Sequence, residues 1–192
     1  LDIFSKTAIQ VCEGQQWDMD FEMQKNVNLV EYMKMIEYKT AVLMAASLQI
    51  GAITAGASNK DQAHIYEFGL NMGIAFQLKD DLLDVFGSPE AFGKQVGGDI
   101  MANKKTFLYL KALQLADDST KEKLQFYYMN NDKSKSKVNS VKSIFTKLHI
   151  QSHTIDIMKV HYTKAIEHLD AIRSENKAPL IEFADKLMER IS

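Results

Sequence analysis

Residues that end helices and strands are scarce along this chain. Only 2 prolines and 9 glycines occur among its 192 residues, whereas a strand-rich domain needs frequent turns built largely from these two residue types. Apolar residues recur instead at helical spacing, and no Asn-Gly hairpin signal lies between alternating runs. The sequence therefore predicts an all-α fold built from long helices.

Composition and charge exclude several classes of protein. Hydrophobic residues make up 46% of the chain, which is a normal globular value, and the length is sufficient for one domain with its own core. The formal net charge of −2 and the lack of a basic stripe argue against nucleic-acid binding. The single cysteine, Cys12, excludes an internal disulfide framework and suits a reducing, cytoplasmic compartment.

The longest uncharged run extends from Thr40 to Asn59 and is long enough to span a bilayer. Its polar residues and its many alanines favour instead a helix buried inside a soluble bundle. We therefore predict no transmembrane segment and a cytoplasmic protein.

Capping signals place the first helix boundaries. The first helix is predicted to end near Gln16. The second is predicted to begin at Asn28, where Glu31 completes a capping-box pattern. The third is predicted to open at Asn59 and to end at Gly87, shortly before a proline.

Further signals divide the second half of the chain. Ser119 with Glu122 predicts another capping box. The polar residues 130–137 are predicted to form an exposed linker. His149 is predicted to take a left-handed capping conformation between two helices, with Ile150 supplying the hydrophobic contact that follows such a cap.

Three aspartates interrupt the apolar run FQLKDDLLDVFG. On a helix, Asp80 and Asp84 lie one above the other, and Asp81 is turned about 100° away. Carboxylates at this spacing repel one another. Either water screens this repulsion on a surface, or a hard cation such as Mg²⁺ binds there.

The surrounding sequence favours the cation site. The aspartates end a largely apolar helix, and the uncharged run is entered through Lys39 and Thr40. The loop after the aspartates supplies glycines and charged residues: Lys94, Gly97, Gly98, Asp99, Lys104 and Lys105. Carboxylates, lysines and a glycine-containing loop together describe a site for a diphosphate bridged by magnesium.

Four segments carry a resemblance to a known family: CEGQQWDMDFE, MIEYKTAVLMAAS, GIAFQLKDDLLDVFG and FGKQVGGDIMANKKTFL. In this order they resemble the C-terminal half of trans-type polyprenyl synthases, which include farnesyl and geranylgeranyl diphosphate synthases. The resemblance is strongest from about residue 8 to about residue 110. It implies the antiparallel helical bundle of the isoprenoid synthases, with residues 1–192 as the C-terminal portion of a single domain.

The resemblance implies roles for individual residues. Asp80, Asp81 and Asp84 would form the family's second aspartate-rich motif and its magnesium ligands, with Asp80 binding directly and Asp84 directly or through water. Lys39 would hold the allylic diphosphate, and Thr40 would line the same pocket.

Three more residues receive implied roles. Gln77 would face the reaction centre, beside the catalytic group formed by Lys39, Thr40, Asp80 and Asp81. Lys94 and Lys104 would lie on the loop that closes over the diphosphate, with Lys105 as the alternative to Lys104.

The implied activity is the Mg²⁺-dependent condensation of isopentenyl diphosphate with an allylic diphosphate, giving farnesyl or geranylgeranyl diphosphate. The family also implies a homodimer. Three alternatives stay open: a non-catalytic helical subunit of such an enzyme, a terpene cyclase of the same fold, and a bundle whose aspartates are only surface charge.

One departure from the family pattern concerns what these residues lack. The family has a first aspartate-rich motif and an isopentenyl diphosphate site upstream, and Asp18 and Asp20 in DMD do not supply that motif. The chain also opens without methionine, in sequence that already has helical spacing. We interpret it as a C-terminal fragment that is inactive alone.

Overall fold

The computed structural model describes residues 1–88 and 96–189, and all regular secondary structure in those ranges is helical. The elements are α1 (Asp2–Met23), α2 (Leu29–Ile36), a π-helical turn (Glu37–Ala41), α3 (Val42–Thr54), α4 (Asn59–Phe86), α5 (Gly98–Met101), α6 (Phe107–Leu115), α7 (Asp118–Met129), α8 (Lys135–Lys147), α9 (Ile150–Asp170) and α10 (Ala178–Glu189). The prediction of an all-α fold is confirmed.

The helices pack as two compact units. The first unit comprises Leu1–Trp17, Lys34–Gln77 and the described part of Ile157–Ser192. The second comprises Asp18–Met33 and the described part of Leu78–Asp156. That the whole chain belongs to a single domain stays a prediction.

The core of the first unit is formed by one face each of α4, α9 and α10. Its buried members are Ile65, Phe68, Met72, Ala165, Leu169, Ala184 and Leu187. They recur three or four residues apart, which is the spacing of one helical face. Tyr162 on α9 adds a hydrogen bond, since its hydroxyl donates to Asp185 Oδ1 on α10 at 2.5 Å.

Helix α8 organises the second unit, since α5, α6 and α7 each pack against it. Val141 and Phe145 on α8 are fully buried, as are Leu108 on α6 and Leu124 on α7. The unit therefore has an apolar centre that holds the short helix α5 in place.

Two early boundaries had opposite outcomes. The capping box at the start of α2 is confirmed, because the Asn28 N–H donates to Glu31 Oε2 at 2.8 Å and the Glu31 N–H donates to Asn28 Oδ1 at 3.0 Å. The predicted end of α1 near Gln16 is wrong, because the helix continues to Met23. No glycine or proline follows Gln16 to stop it.

Later boundaries also differ from the predictions. Asp117, not Ser119, caps α7, because its carboxylate accepts the Thr120 N–H at 2.7 Å. The predicted linker is shorter than expected, since α8 begins at Lys135 and buries Lys137. The left-handed His149 is confirmed by its φ of 53°.

The uncharged run folds as the end of the π turn followed by α3. Ala41, Val42 and Ala45 are buried, whereas Leu43 and Ile50 on the same helix are exposed. The run is thus buried on one face only. Within the described ranges, no helix combines the length and the apolar content that crossing a membrane requires.

Candidate active site

Lys39 and Thr40 lie in the π-helical turn, not in an α-helix. The sequence carries no signal for this turn, whose wider hydrogen-bonding pattern is often found at functional sites. Thr40 Oγ1 donates a hydrogen bond to Gln77 Oε1 on α4 at 3.0 Å. Two predicted site residues, 37 positions apart in sequence, therefore meet inside the first unit.

Close contacts between main chains fix the position of this turn. A Cβ atom on Gly14 of α1 would lie 2.8 Å from Lys39 Cα, and one on Gly73 of α4 would lie 2.5 Å from Ala41 Cα. Real Cβ atoms do not approach other atoms this closely. Glycine at both positions lets α1 and α4 contact the main chain that carries Lys39 and Thr40.

Asp81 is buried in the second unit, with 4% of its surface exposed. Its carboxylate accepts hydrogen bonds from the hydroxyl of Tyr32 on α2 and from the N–H of Phe107, the first residue of α6, at 3.4 Å. Burial, followed by the charge of Asp81, raises the pKa of Tyr32 well above its usual value. Asp81 therefore joins α2, α4 and the start of α6.

Asp84 lies against the start of α5 in the same unit. Its Oδ2 accepts the N–H of Asp99 at 3.0 Å, and its main-chain oxygen accepts the N–H of Gly97 at 2.6 Å. Both interactions attach the end of α4 to the first turn of α5. The attachment brings the carboxylates of Asp84 and Asp99 near each other.

Negative charge dominates this part of the second unit. Burial and the charge of Asp99 raise the pKa of Asp84, although the N–H groups of Asp99 and Gly98 and the Lys104 ammonium act in the opposite direction. Lys104 Nζ lies 2.8 Å from Asp99 Oδ1. Burial lowers the pKa of Lys104, but the hydrogen bond and the charge of Asp99 outweigh it, so that the pKa is raised.

The two adjacent lysines have different surroundings. Lys105 Nζ donates to the main-chain oxygens of Phe21 at 2.6 Å and Glu22 at 3.3 Å, at the C-terminal end of α1. Burial lowers the pKa of Lys105. Lys105 thus caps a helix, whereas Lys104 pairs with an acid.

The remaining predicted residues are placed as follows. Asp80 is half-buried on α4, one turn before Asp84. Lys94 lies outside the described residues. Across residues 1–88 and 96–189, no three His, Cys, Asp or Glu side chains form a metal-binding group. Magnesium usually takes one or two carboxylates and completes its shell with water and substrate phosphates, and Asp80 and Asp84 fit such a donor set.

No role was predicted for Tyr32 or Asp18, and Asp99 was predicted only as part of the loop. Asp18 acts on both Tyr32 and Lys104 through its charge. The sequence carried no signal for Asp18, because the first helix was predicted to end before it, near Gln16. Tyr32 had none, because its hydrogen bond joins residues 49 positions apart.

Residues 1–146 match the family model described as polyprenyl synthetase. The chain belongs to the polyprenyl synthetase family. The resemblance inferred from the four motifs is thereby confirmed. The match extends beyond the motifs to α8, which also organises the second unit.

Individual members of the polyprenyl synthetase family support this assignment. The geranylgeranyl diphosphate synthase of Sulfolobus acidocaldarius is 36% identical over 178 residues, which are 93% of this chain and 54% of that protein. A crystal structure of a geranylgeranyl pyrophosphate synthase superposes with a TM-score of 0.90 at 42% identity, over 100% of this chain and 60% of the other.

A third relative is a crystal structure of geranylgeranyl pyrophosphate synthase from Corynebacterium glutamicum, complexed with isoprenyl diphosphate and magnesium. It superposes with a TM-score of 0.90 at 28% identity, over 98% of this chain and 54% of that protein. The chain therefore spans little more than half the length of the family members it matches. The isoprenoid synthase fold expected from the motifs is confirmed.

Proposed function

We propose that this protein is a Mg²⁺-dependent trans-prenyltransferase that condenses isopentenyl diphosphate with an allylic diphosphate to form farnesyl or geranylgeranyl diphosphate. The observation that carries the proposal is the arrangement around α5, where the acids Asp84 and Asp99 lie together and Lys104 pairs with Asp99. Paired acids attract a divalent cation, and the adjacent lysine attracts the diphosphate that the cation accompanies.

The acids and lysines would divide the binding of the diphosphate between them. Asp80 and Asp84 would hold magnesium, which when bound neutralises the charge that develops on the departing diphosphate. Lys39 and Lys104 would donate to the diphosphate oxygens, as would Lys94. Asp81 is proposed to act with them from its buried position, by fixing the end of α4 through Tyr32 and Phe107.

Thr40 and Gln77 would orient the reacting end of the allylic substrate. The hydrogen bond from Thr40 to the carbonyl oxygen of the Gln77 side chain fixes the orientation of that amide group. A fixed dipole of this kind stabilises developing charge without reorganising during the reaction. Allylic ionisation is followed by attack of the isopentenyl double bond and by loss of a proton, which yields the new trans unit.

Other parts of the proposal depend on the family alone. The names of the matched relatives support a geranylgeranyl product, and the farnesyl alternative depends on the resemblance of the motifs. A homodimer and a cytoplasmic location are proposed on the same basis. Sedimentation of the purified protein and microscopy of a tagged version test these two points.

The activity is tested by incubating the full-length protein with labelled isopentenyl diphosphate and allylic diphosphates of increasing length, in MgCl₂ or in EDTA. We expect elongated product only with magnesium. Asp80→Ala should reduce turnover by orders of magnitude, whereas Asp156→Ala, an exposed aspartate on α9, should leave it unchanged. Absence of elongated product, or normal turnover of Asp80→Ala, contradicts the proposal.

A further inference from the structure

Lys137 is a buried cation in the first turn of α8, and only 1% of its surface is exposed. Its Nζ donates to Asn103 Oδ1 and, at 3.4 Å, to the main-chain oxygen of Asn130. The same nitrogen lies 5.7 Å from the centre of the Tyr128 ring. A buried ammonium costs several kcal/mol of desolvation unless hydrogen bonds compensate for it, so an apolar residue at this position would be the simpler choice for folding alone.

Asn103, the residue that Lys137 binds, occupies a special position in the chain. It lies two residues after the end of α5 and has a φ of 57°. This is the left-handed region, which non-glycine residues seldom adopt and asparagine adopts more readily than most. Its side-chain nitrogen also donates to the Asn130 oxygen, at 3.2 Å. The next residue along the chain is Lys104, whose main-chain N–H donates to the main-chain oxygen of Asp99 at 3.0 Å.

The first turn of α8 also contacts the other end of α5. Gly97 precedes α5 with a φ of 87°, and a Cβ on Gly97 would lie 2.5 Å from Val138 Cγ1. Val138 and Lys137 are adjacent in sequence. The first turn of α8 therefore contacts Gly97, directly before α5, and Asn103, two residues after α5. The segment between these two residues carries Asp99.

We infer that Lys137 is a positioning residue for the diphosphate site: by binding Asn103 it fixes the turn after α5 and thereby sets the direction of Lys104 toward Asp99. The inference rests on the proposed function for its ligand, a magnesium-bound diphosphate. Lys137 donates to the side chain of Asn103 and to the main chain of Asn130. Its effect on Lys104 is therefore proposed to pass along the chain from Asn103.

The first test measures the turn without a ligand. Amide hydrogen exchange is compared between the full-length protein, Lys137→Met and the control Lys135→Met, which removes an exposed lysine from the same turn of α8. Methionine preserves most of the lysine volume. We expect exchange over residues 101–104 to be faster by at least about tenfold in Lys137→Met, a larger increase than in the rest of the second unit, and to be unchanged in Lys135→Met. Unchanged exchange in that segment overturns the inference and leaves the proposed function standing.

The second test measures the coupling to Lys104. Affinity for inorganic pyrophosphate with MgCl₂ is measured by calorimetry for Lys104→Ala, Lys137→Met and the double variant. We expect Lys104→Ala to weaken binding by about ten- to a hundredfold, the usual effect of losing a charged hydrogen bond. Lys137→Met should weaken it by about three- to tenfold alone, and by less than about twofold in the Lys104→Ala background.

The outcomes of these tests distinguish the positioning role of Lys137 from the proposed function. Independent, multiplicative losses in the double variant show that Lys137 does not act through Lys104, which overturns the inference. If the unsubstituted protein does not bind magnesium pyrophosphate, the proposed function fails and the ligand half of the inference fails with it. The exchange measurement then still decides whether Lys137 fixes the turn.

Discussion

The hydroxyl of Tyr32 donates a hydrogen bond to the buried carboxylate of Asp81, which joins α2 to α4 within the second unit. Tyr32→Phe removes this donor and leaves a buried carboxylate with one partner fewer. We expect the free energy of unfolding to fall by about 1–3 kcal/mol, measured by chemical denaturation. Tyr127→Phe, at a half-buried position on α7, is the control and should change stability by less than about 0.5 kcal/mol. Equal stability of both variants would contradict the role given to Tyr32.

A second prediction concerns alkaline pH. Burial raises the pKa of Tyr109 to about 12 from an ordinary value of 10.0. A group whose pKa is higher in the folded state stabilises the fold below the unfolded pKa, and this stabilisation is lost as the pH rises through the folded pKa. We expect the free energy of unfolding to decrease between pH 10 and pH 12, with up to about 2–3 kcal/mol from Tyr109. Tyr109→Phe should make the free energy of unfolding fall less steeply over this pH range. An equally steep fall in the variant would refute the contribution assigned to Tyr109.

Lys104 and Lys105 should separate stability from ligand binding. Lys105→Ala removes the cap from the last carbonyl groups of α1 and should lower the free energy of unfolding by about 1–2 kcal/mol. Its affinity for magnesium pyrophosphate should stay within about twofold of the unsubstituted value. Lys104→Ala should instead weaken the binding of magnesium pyrophosphate and leave the free energy of unfolding nearly unchanged. Each variant is the control for the other. Thermal unfolding and calorimetry on both proteins measure the comparison, and similar behaviour of the two would be evidence against it.

Asp84→Asn tests how much the repulsion between the carboxylates of Asp84 and Asp99 lowers the stability of the protein. The variant keeps an oxygen that can accept the Asp99 N–H but removes the repulsion between the two carboxylates. We expect stability without ligand to equal or exceed that of the unsubstituted protein, by at most about 1 kcal/mol. The rise in melting temperature on adding MgCl₂ with pyrophosphate should disappear in the variant. A persisting rise would exclude Asp84 as a magnesium ligand.

Two glycines in helices provide a matched pair of opposite sign. Gly73→Ala would place a methyl group against Ala41 and should destabilise the protein by about 1–3 kcal/mol. Gly51→Ala on α3 meets no atom within 4 Å and should stabilise it by about 0.5–1 kcal/mol, because alanine is the better helix former. Denaturation curves for both variants decide the point. A stabilising Gly73→Ala would show that α4 and the π turn are not in close contact.

The parts of this fold that the sequence predicted depend on interactions between near neighbours. The capping box of Asn28 with Glu31 and the left-handed conformation of His149 are local features, and the residue types at these positions are sufficient to predict them. Distant contacts were not predictable: nothing near Lys137 indicates that its partner is Asn103, so a polar stretch was interpreted as a linker. The prediction for Ser119 failed for a different reason, because the choice lay between two local caps and the carboxylate of Asp117, two positions earlier, accepts the Thr120 N–H.

The same distinction applies to the site. Motif order alone led to the prediction that Lys39, Gln77 and the three aspartates are site residues, and their roles stay predictions. It gave Asp81 the same role as Asp80 and Asp84, whereas burial and the bonds from Tyr32 and Phe107 distinguish it. Only the folded arrangement also distinguishes Lys104 from Lys105, since both are lysines in the same turn.

The π-helical turn at Glu37–Ala41 is equivalent to a single extra residue inserted into one long helix. Each residue of an α-helix turns the chain by about 100°. Deleting one residue from the turn would therefore let the helix regularise and rotate one flank relative to the other by that angle. Thr40 would then lose its alignment with Gln77, although every side chain of the site was still present. Sequence alignments that close a one-residue gap here would transfer the role proposed for Lys39 to the wrong neighbour.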